Sequence, residues 1–108
     1  MATVVPLRGR VYAATASEPV GQKYYLVVSN NQRNRHLEEV LGVRVTTSRK
    51  PDLETIVECE AADPVSGRII CDDIAPIRRE KIARDLGAVT TSTMRRVEDG
   101  LRSALSLR

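Results

Sequence analysis

The chain has 108 residues, 42% of them hydrophobic, which suits one domain over residues 1–108 with a modest core; with three Tyr, no Trp and no Phe that core must be aliphatic. The net charge is only +3, but Lys23, Lys50 and Lys81 are the only lysines among 17 basic residues, and Arg favours planar partners such as phosphate or carboxylate. No apolar run approaches the ~18 residues of a membrane span, and the opening MATVVPLRGR lacks the layout of a secretory signal, so a reducing cytoplasm is expected.

Met1–Pro6 reads as a loose start. Arg8–Ala14 alternates as a first strand, and Thr15–Gln22, with Ser, Pro and Gly and no periodicity, is a loop. Lys23–Asn30, KYYLVVSN, is β-branched and aromatic without a breaker, the strongest strand signal in the chain. Asn30–Glu39 reads as a polar loop. Val40–Ser48 is a third strand, whose Leu41, Val43 and Val45 point to one face and Gly42, Arg44 and Thr46 to the other. One face is therefore apolar, and the other sets a guanidinium beside a hydroxyl, a pairing suited to phosphate.

Arg49–Asp52 is a basic turn that Pro51 closes. Thr55–Ala61 and Arg68–Ile74 are two more strands around the turn Asp63–Gly67. A hairpin symmetric about Val65 sets Cys59 opposite Cys71, near disulfide range; in a reducing compartment two small thiols packed together are expected. Pro76 near its start and Gly87 after its end frame a helix over Ile77–Leu86, with Ile82 and Leu86 as an i, i+4 pair. A second helix starts at Thr90 as N-cap and carries Met94, Val97, Leu101 and Leu105 on one face, with Gly100 costing roughly 1 kcal/mol relative to Ala. Short strands with turns and late helices predict a mainly β fold, a small antiparallel barrel with a C-terminal helix.

The chemistry available is narrow. There is one histidine, His36, in a polar stretch where a solvated role is expected, and there is no CxxC, HExxH or Gly-rich phosphate loop. Asp72 and Asp73 are strand neighbours that point apart and so do not build a joint metal site. No metal and no cofactor are expected. What remains is a polar surface with Arg44 and Thr46 on the third strand, and Lys23 and Asn30 bracketing the second. Such a surface can cleave RNA, whose own 2′-OH is the nucleophile, if it holds the backbone in line and stabilises charge on phosphorus.

Six motifs in order carry a resemblance. Arg8–Tyr12 is similar to an RGDVY opening, Val27–Asn30 to VVSN, and Val45–Ser48 to VTTS. Leu53–Glu58 is similar to LPTHVEL, Ile69–Ile74 to VVLCDQI, and the stretch from Gly87 to GRLSPEEMAAVDEALRRVL. Together they resemble the MazF/PemK family of toxin endoribonucleases of bacterial type II toxin–antitoxin systems. The resemblance implies an SH3-like barrel, a homodimer, a cognate antitoxin and metal-independent cleavage of single-stranded RNA, chiefly mRNA, leaving a 2′,3′-cyclic phosphate and a 5′-OH. It implies that Thr46 is the catalytic Thr. Lys23 stands where the family's catalytic Arg stands, and Asp73 stands at a Gln that lies near a bound base. Asn30, Arg44, Asp73, Gln22 and Ser48 are the expected RNA contacts. A non-catalytic toxin on the same barrel, such as a CcdB-like gyrase poison, or a degenerate regulatory member, is the alternative.

Overall fold

The structure is a computed structural model and describes residues 5–108; most of the expected loose start, residues 1–4, lies outside the described residues. Six strands form one antiparallel sheet: β1 (Arg10–Thr15), β2 (Gln22–Val27), β3 (Glu39–Thr46), β4 (Ile56–Glu58), β5 (Arg68–Arg78) and β6 (Ile82–Ala88). Their spatial order is β4-β5-β3-β2-β1-β6, so β4 and β6 are edges and the ladder does not close on itself. A short helix α1 (Asn31–His36) follows β2, a 3-10 turn (Arg79–Lys81) joins β5 to β6, and α2 (Thr91–Leu105) ends the chain. The mainly β class with a C-terminal helix agrees with the sequence.

Alternation places apolar side chains on both faces. Val11, Leu26, Val43, Val45, Val57, Ile69 and Cys71 form the larger core, which Val97 of α2 completes. Tyr12, Ala14, Tyr25, Val27, Val40 and Ile77 form a second cluster on the opposite face, with Ile82 packed against it. The expected polar face of β3 is therefore polar only at its far end. Val40 and Gly42 are fully buried there, and polarity begins at Arg44. Arg10, which stands where the family's motif has Asp, forms an ion pair with Asp85 of β6 at 3.0 Å.

The expected helix over Ile77–Leu86 is instead the end of β5, the 3-10 turn and β6. Ile82, Arg84 and Leu86 also fit a period of two, and β1 offers a ladder to them, with Ala14 opposite Ile82 and Ala13 opposite Arg84. Pro76 is tolerated in β5 because β4 covers only Arg68–Ile70, which leaves the far edge unpaired where Pro76 sits opposite Leu41. Gly87 does adopt a positive φ of 120°, but at a bulge against β1 rather than at a helix end.

The predicted polar loop after β2 contains α1. Asn30 is its N-cap, accepting the Arg33 N–H at 2.8 Å. Asn34 is fully buried and donates to the Ser29 carbonyl at 3.0 Å. His36 is exposed, with Nδ1 2.8 Å from the Gln32 carbonyl oxygen, in keeping with a solvated role.

The β4–β5 hairpin pairs Ile56 with Ile70, Val57 with Ile69 and Glu58 with Arg68. Cys59 therefore lies opposite Gly67, and Cys71 opposite Thr55. The two do not face each other across the ladder and both are free thiols, though they share one core. Burial pushes each up to about 11, which keeps both protonated near neutral pH.

Helix α2 is fixed at its start by a polar network. Thr90 Oγ1 accepts the Thr93 N–H at 3.0 Å and donates to Glu60 at 2.9 Å. Hydroxyls of Ser92 and Thr90 hold the Glu60 carboxyl below the ordinary carboxylate range. Partial burial pushes Asp63 up, but hydrogen bonds from Thr93 Oγ1 and from the Thr90 and Glu60 N–H groups outweigh it and lower it. Thr90→Ala removes the cap and is expected to cost about 1–2 kcal/mol, read from the urea midpoint at unchanged m-value. Gly100 is buried against β5, where a Cβ would lie 2.7 Å from Cys71 Sγ and 3.2 Å from the Glu54 carbonyl oxygen. The helical propensity it gives up is what lets α2 lie directly on the sheet.

Candidate active site

The ladders place one row of residues across the sheet at the end where β3 finishes. Ala14 pairs with Lys23, Thr46 with Arg68, and Arg68 with Glu58. The β2–β3 register ends at Tyr24 opposite Val45, and one further step sets Lys23 across from Thr46. Cross-strand neighbours share a face, so the row reads Lys23, Thr46, Arg68, Glu58 on one side of the sheet. A hydroxyl is thus flanked by a cation on each adjacent strand. Lys23, Thr46 and Arg68 are all half-buried.

The hydroxyl of Thr46 is oriented by the turn that ends β3. Ser48 N–H donates to Thr46 Oγ1 at 3.1 Å. One lone pair of the oxygen is then occupied and its proton is free to donate, which suits a hydrogen bond to a phosphate oxygen. Ser48 acts here through its backbone. Thr46 also lines an open groove of about 330 Å³, with Tyr24, Thr47, Pro64, Ser66 and Leu86 among the walls. Tyr24, 38% exposed, pairs with Val45 and so belongs to the face opposite Lys23; neither Lys23 nor Arg68 lines this groove, which meets the row only at Thr46.

Arg44 lies one row further into the sheet, opposite Tyr25 on β2 and Ile70 on β5. Its Nε is buried with no hydrogen-bond partner among the described residues. Burial lifts the Tyr25 hydroxyl above its ordinary range, Arg44 draws it down and Asp73 pushes it up. The charges of Arg44 and Asp73 thus act on Tyr25 in opposite senses. β5 is bulged beside Arg44: Val43 pairs with Ile74 and Arg44 with Ile70, so Cys71–Asp73 are extra on the β5 side. Asp72 and Asp73 are both exposed.

The remaining expected contacts divide. Gln22 is exposed at the start of β2 beside Lys23. Asn30 is not brought to the row. Seven residues of nearly extended chain separate it from Lys23, about 23 Å, and its side-chain oxygen is used in capping α1. Arg68 and Tyr24 are additions that the sequence reading missed. The opposite charges of Glu58 and Arg68 were the signal available for Arg68, since they select the observed register.

Among the described residues no group of three His, Cys, Asp or Glu side chains is placed to hold a metal ion, and no helix is long and apolar enough to cross a membrane.

The small antiparallel sheet with an end helix carries, at one lip, a hydroxyl with a cation on each adjacent strand, a combination chemically suited to phosphate. Comparison with known proteins narrows the class. Residues 7–105 match the family described as PemK-like, MazF-like toxin of type II toxin-antitoxin system. The chain is 39% identical over 102 residues to Endoribonuclease MazF1 of Mycobacterium bovis and to Endoribonuclease MazF4 of Mycobacterium tuberculosis, covering 94% of this chain and 94% of each relative. It superposes with a TM-score of 0.89 on a mycobacterial endoribonuclease solved in complex with its cognate antitoxin, at 39% identity, covering 95% of this chain and 97% of that one. The chain belongs to the PemK-like, MazF-like toxin family.

Proposed function

We propose that this protein is the toxin of a type II toxin–antitoxin system and cleaves single-stranded RNA, mRNA foremost. The observation that carries the proposal is the Thr46 hydroxyl across from Lys23, its oxygen already accepting the Ser48 N–H.

In the proposed step the substrate's 2′-oxygen attacks the adjacent phosphorus and loses its proton to solvent or a neighbouring base. The bond from phosphorus to the 5′-oxygen breaks, and that oxygen takes up a proton. The products are a 2′,3′-cyclic phosphate and a 5′-OH, with no change in oxidation state. Thr46 donates to a non-bridging oxygen and Lys23 neutralises charge on the phosphorane. Arg44 and Gln22 contact the backbone, Asp73 accepts hydrogen bonds from base amino groups, and Tyr24 offers a surface on which an unpaired base stacks. Asn30, remote within the chain, contributes in this scheme only to a distant part of the RNA. The partners proposed are a cognate antitoxin, as in the solved mycobacterial relative, and a second copy of the chain. The proposed compartment is the bacterial cytoplasm, where mRNA and the antitoxin are available.

The test is incubation of the purified protein with a mixed RNA pool in EDTA. Cleavage at a recurring short sequence, with cyclic-phosphate ends, is the expected result. Intact RNA overturns the proposal.

A further inference from the structure

We propose that Arg68 is a second catalytic cation, a guanidinium that binds the scissile phosphate from the β5 side while Lys23 binds it from the β2 side. The inference rests on the RNA-cleavage function proposed above.

The row provides the geometry. Thr46 and Arg68 are direct ladder partners, and Lys23 continues the row on the other side. Neighbouring strands lie about 4.8 Å apart, so the two cationic residues start from Cα atoms about 10 Å apart with the hydroxyl between them. A phosphate fits such a gap when both side chains lean inward. Gly67 holds Arg68 in place. Its φ is 110°, and a Cβ there would lie 2.3 Å from the Thr46 carbonyl oxygen, so the return strand rests directly on the backbone of Thr46.

The guanidinium is also pre-oriented. Arg68 Nε is 3.1 Å from Glu58 Oε1, and Nη1 is 3.5 Å from the Thr47 carbonyl oxygen. The Arg68 side chain is 25% exposed and that of Glu58 69%. Arg carries five N–H donors in a planar fork. Glu58 takes the Nε–H and Thr47 one Nη1–H, which leaves three without a partner among the described residues. An exposed ion pair by itself contributes little to stability. Here the pair anchors the guanidinium on the strand next to Thr46 and leaves donors over for a ligand. Lys23 supplies a point charge without a fork. The phosphorane has two non-bridging oxygens to satisfy, and Arg68 reaches the one that Lys23 and Thr46 do not.

The experiment compares cleavage of the RNA pool by the full chain, by Arg68→Lys, by Lys23→Arg, by the double variant and by Thr46→Ala. Arg68→Lys keeps the charge and can still pair with Glu58. It is expected to lower kcat by about 10- to 100-fold, with KM changed less than about threefold and thermal midpoint unmoved. Lys23→Arg, which restores a fork from the other side, is expected to recover most of that loss in the double variant. A purely structural Arg68 would not show this coupling. The inference is overturned if Thr46→Ala is inactive while Arg68→Lys keeps the wild-type rate, or if the double variant merely multiplies the two single effects. The underlying function survives either result. If the wild-type chain leaves RNA intact, that function fails and this inference falls with it; if Thr46→Ala cleaves as well as wild type, the function stands but Thr46 leaves the mechanism and the inference built around it is overturned.

Discussion

Thr46→Ala is expected to reduce RNA cleavage by about 10²- to 10³-fold while leaving the fold intact. The size follows from the loss of one oriented donor to a developing oxyanion. The fold is spared because Thr46 sits at the last position of β3, half-buried, and its hydroxyl makes one local bond, accepting from Ser48 N–H. Losing that bond costs on the order of 1 kcal/mol. Thr46→Ser restores the hydroxyl and is expected to stay within about tenfold of wild type. Cleavage rate and thermal midpoint measured side by side decide the matter. A Thr46→Ala protein that folds and cleaves at the wild-type rate removes Thr46 from the mechanism.

The second large effect is on stability. Gly67→Ala is expected to cost about 2–4 kcal/mol, for two separate reasons. A φ of 110° is strained for any residue with a Cβ, and the added carbon would come within 2.3 Å of the Thr46 carbonyl oxygen and 3.0 Å of its carbon. Both obstacles are backbone atoms, so no side chain can rotate away to relieve them. The β4–β5 hairpin must then lift off the end of β3. Urea unfolding reads the loss, and cleavage falls at the same time because Arg68 and Thr46 separate. A Gly67→Ala midpoint equal to wild type would show that the return strand is not seated on Thr46. At Gly100 the nearest atom to an added Cβ is the Cys71 sulfur, a side-chain atom that can shift, so the corresponding substitution there is milder.

Local signals read well wherever they were strong and unopposed. The apolar, β-branched run in Lys23–Asn30, the alternation of β3 and the Thr90 cap each specified their element, although β2 stops at Val27, short of the expected end. The failures came where a pattern fitted two periods. Ile82 and Leu86 are four apart, which satisfies a helix turn and a strand equally. Only the ladder to β1, remote in sequence, decides between them. The β4–β5 register went astray for a different reason. Symmetry about Val65 sets Glu58 opposite Asp72, two like charges face to face, whereas the observed register sets Glu58 opposite Arg68. Weighing that repulsion would have separated the two cysteines and exposed the cation beside Thr46. In the site, strand alternation puts Arg44 and Thr46 on the same face of β3 without ranking them; the roles given to Thr46, Lys23 and Asp73 rest on the family resemblance, and the three-residue bulge that carries Asp73 is one that no spacing rule announces. Asn30 was assigned to the polar surface although its place before a polar run followed by Leu37 is that of a helix cap.

The link between β5 and β6 also acts as a ruler. In the strand order the two lie four positions apart, about 19 Å in a flat sheet. The backbone from Arg78 to Ile82 has four steps, at most about 14 Å when stretched, and it is wound into a 3-10 turn. A flat sheet therefore contradicts its own connectivity. The tether forces the sheet to coil until its flanks approach, so the ring left open by hydrogen bonding is drawn together by covalent chain length.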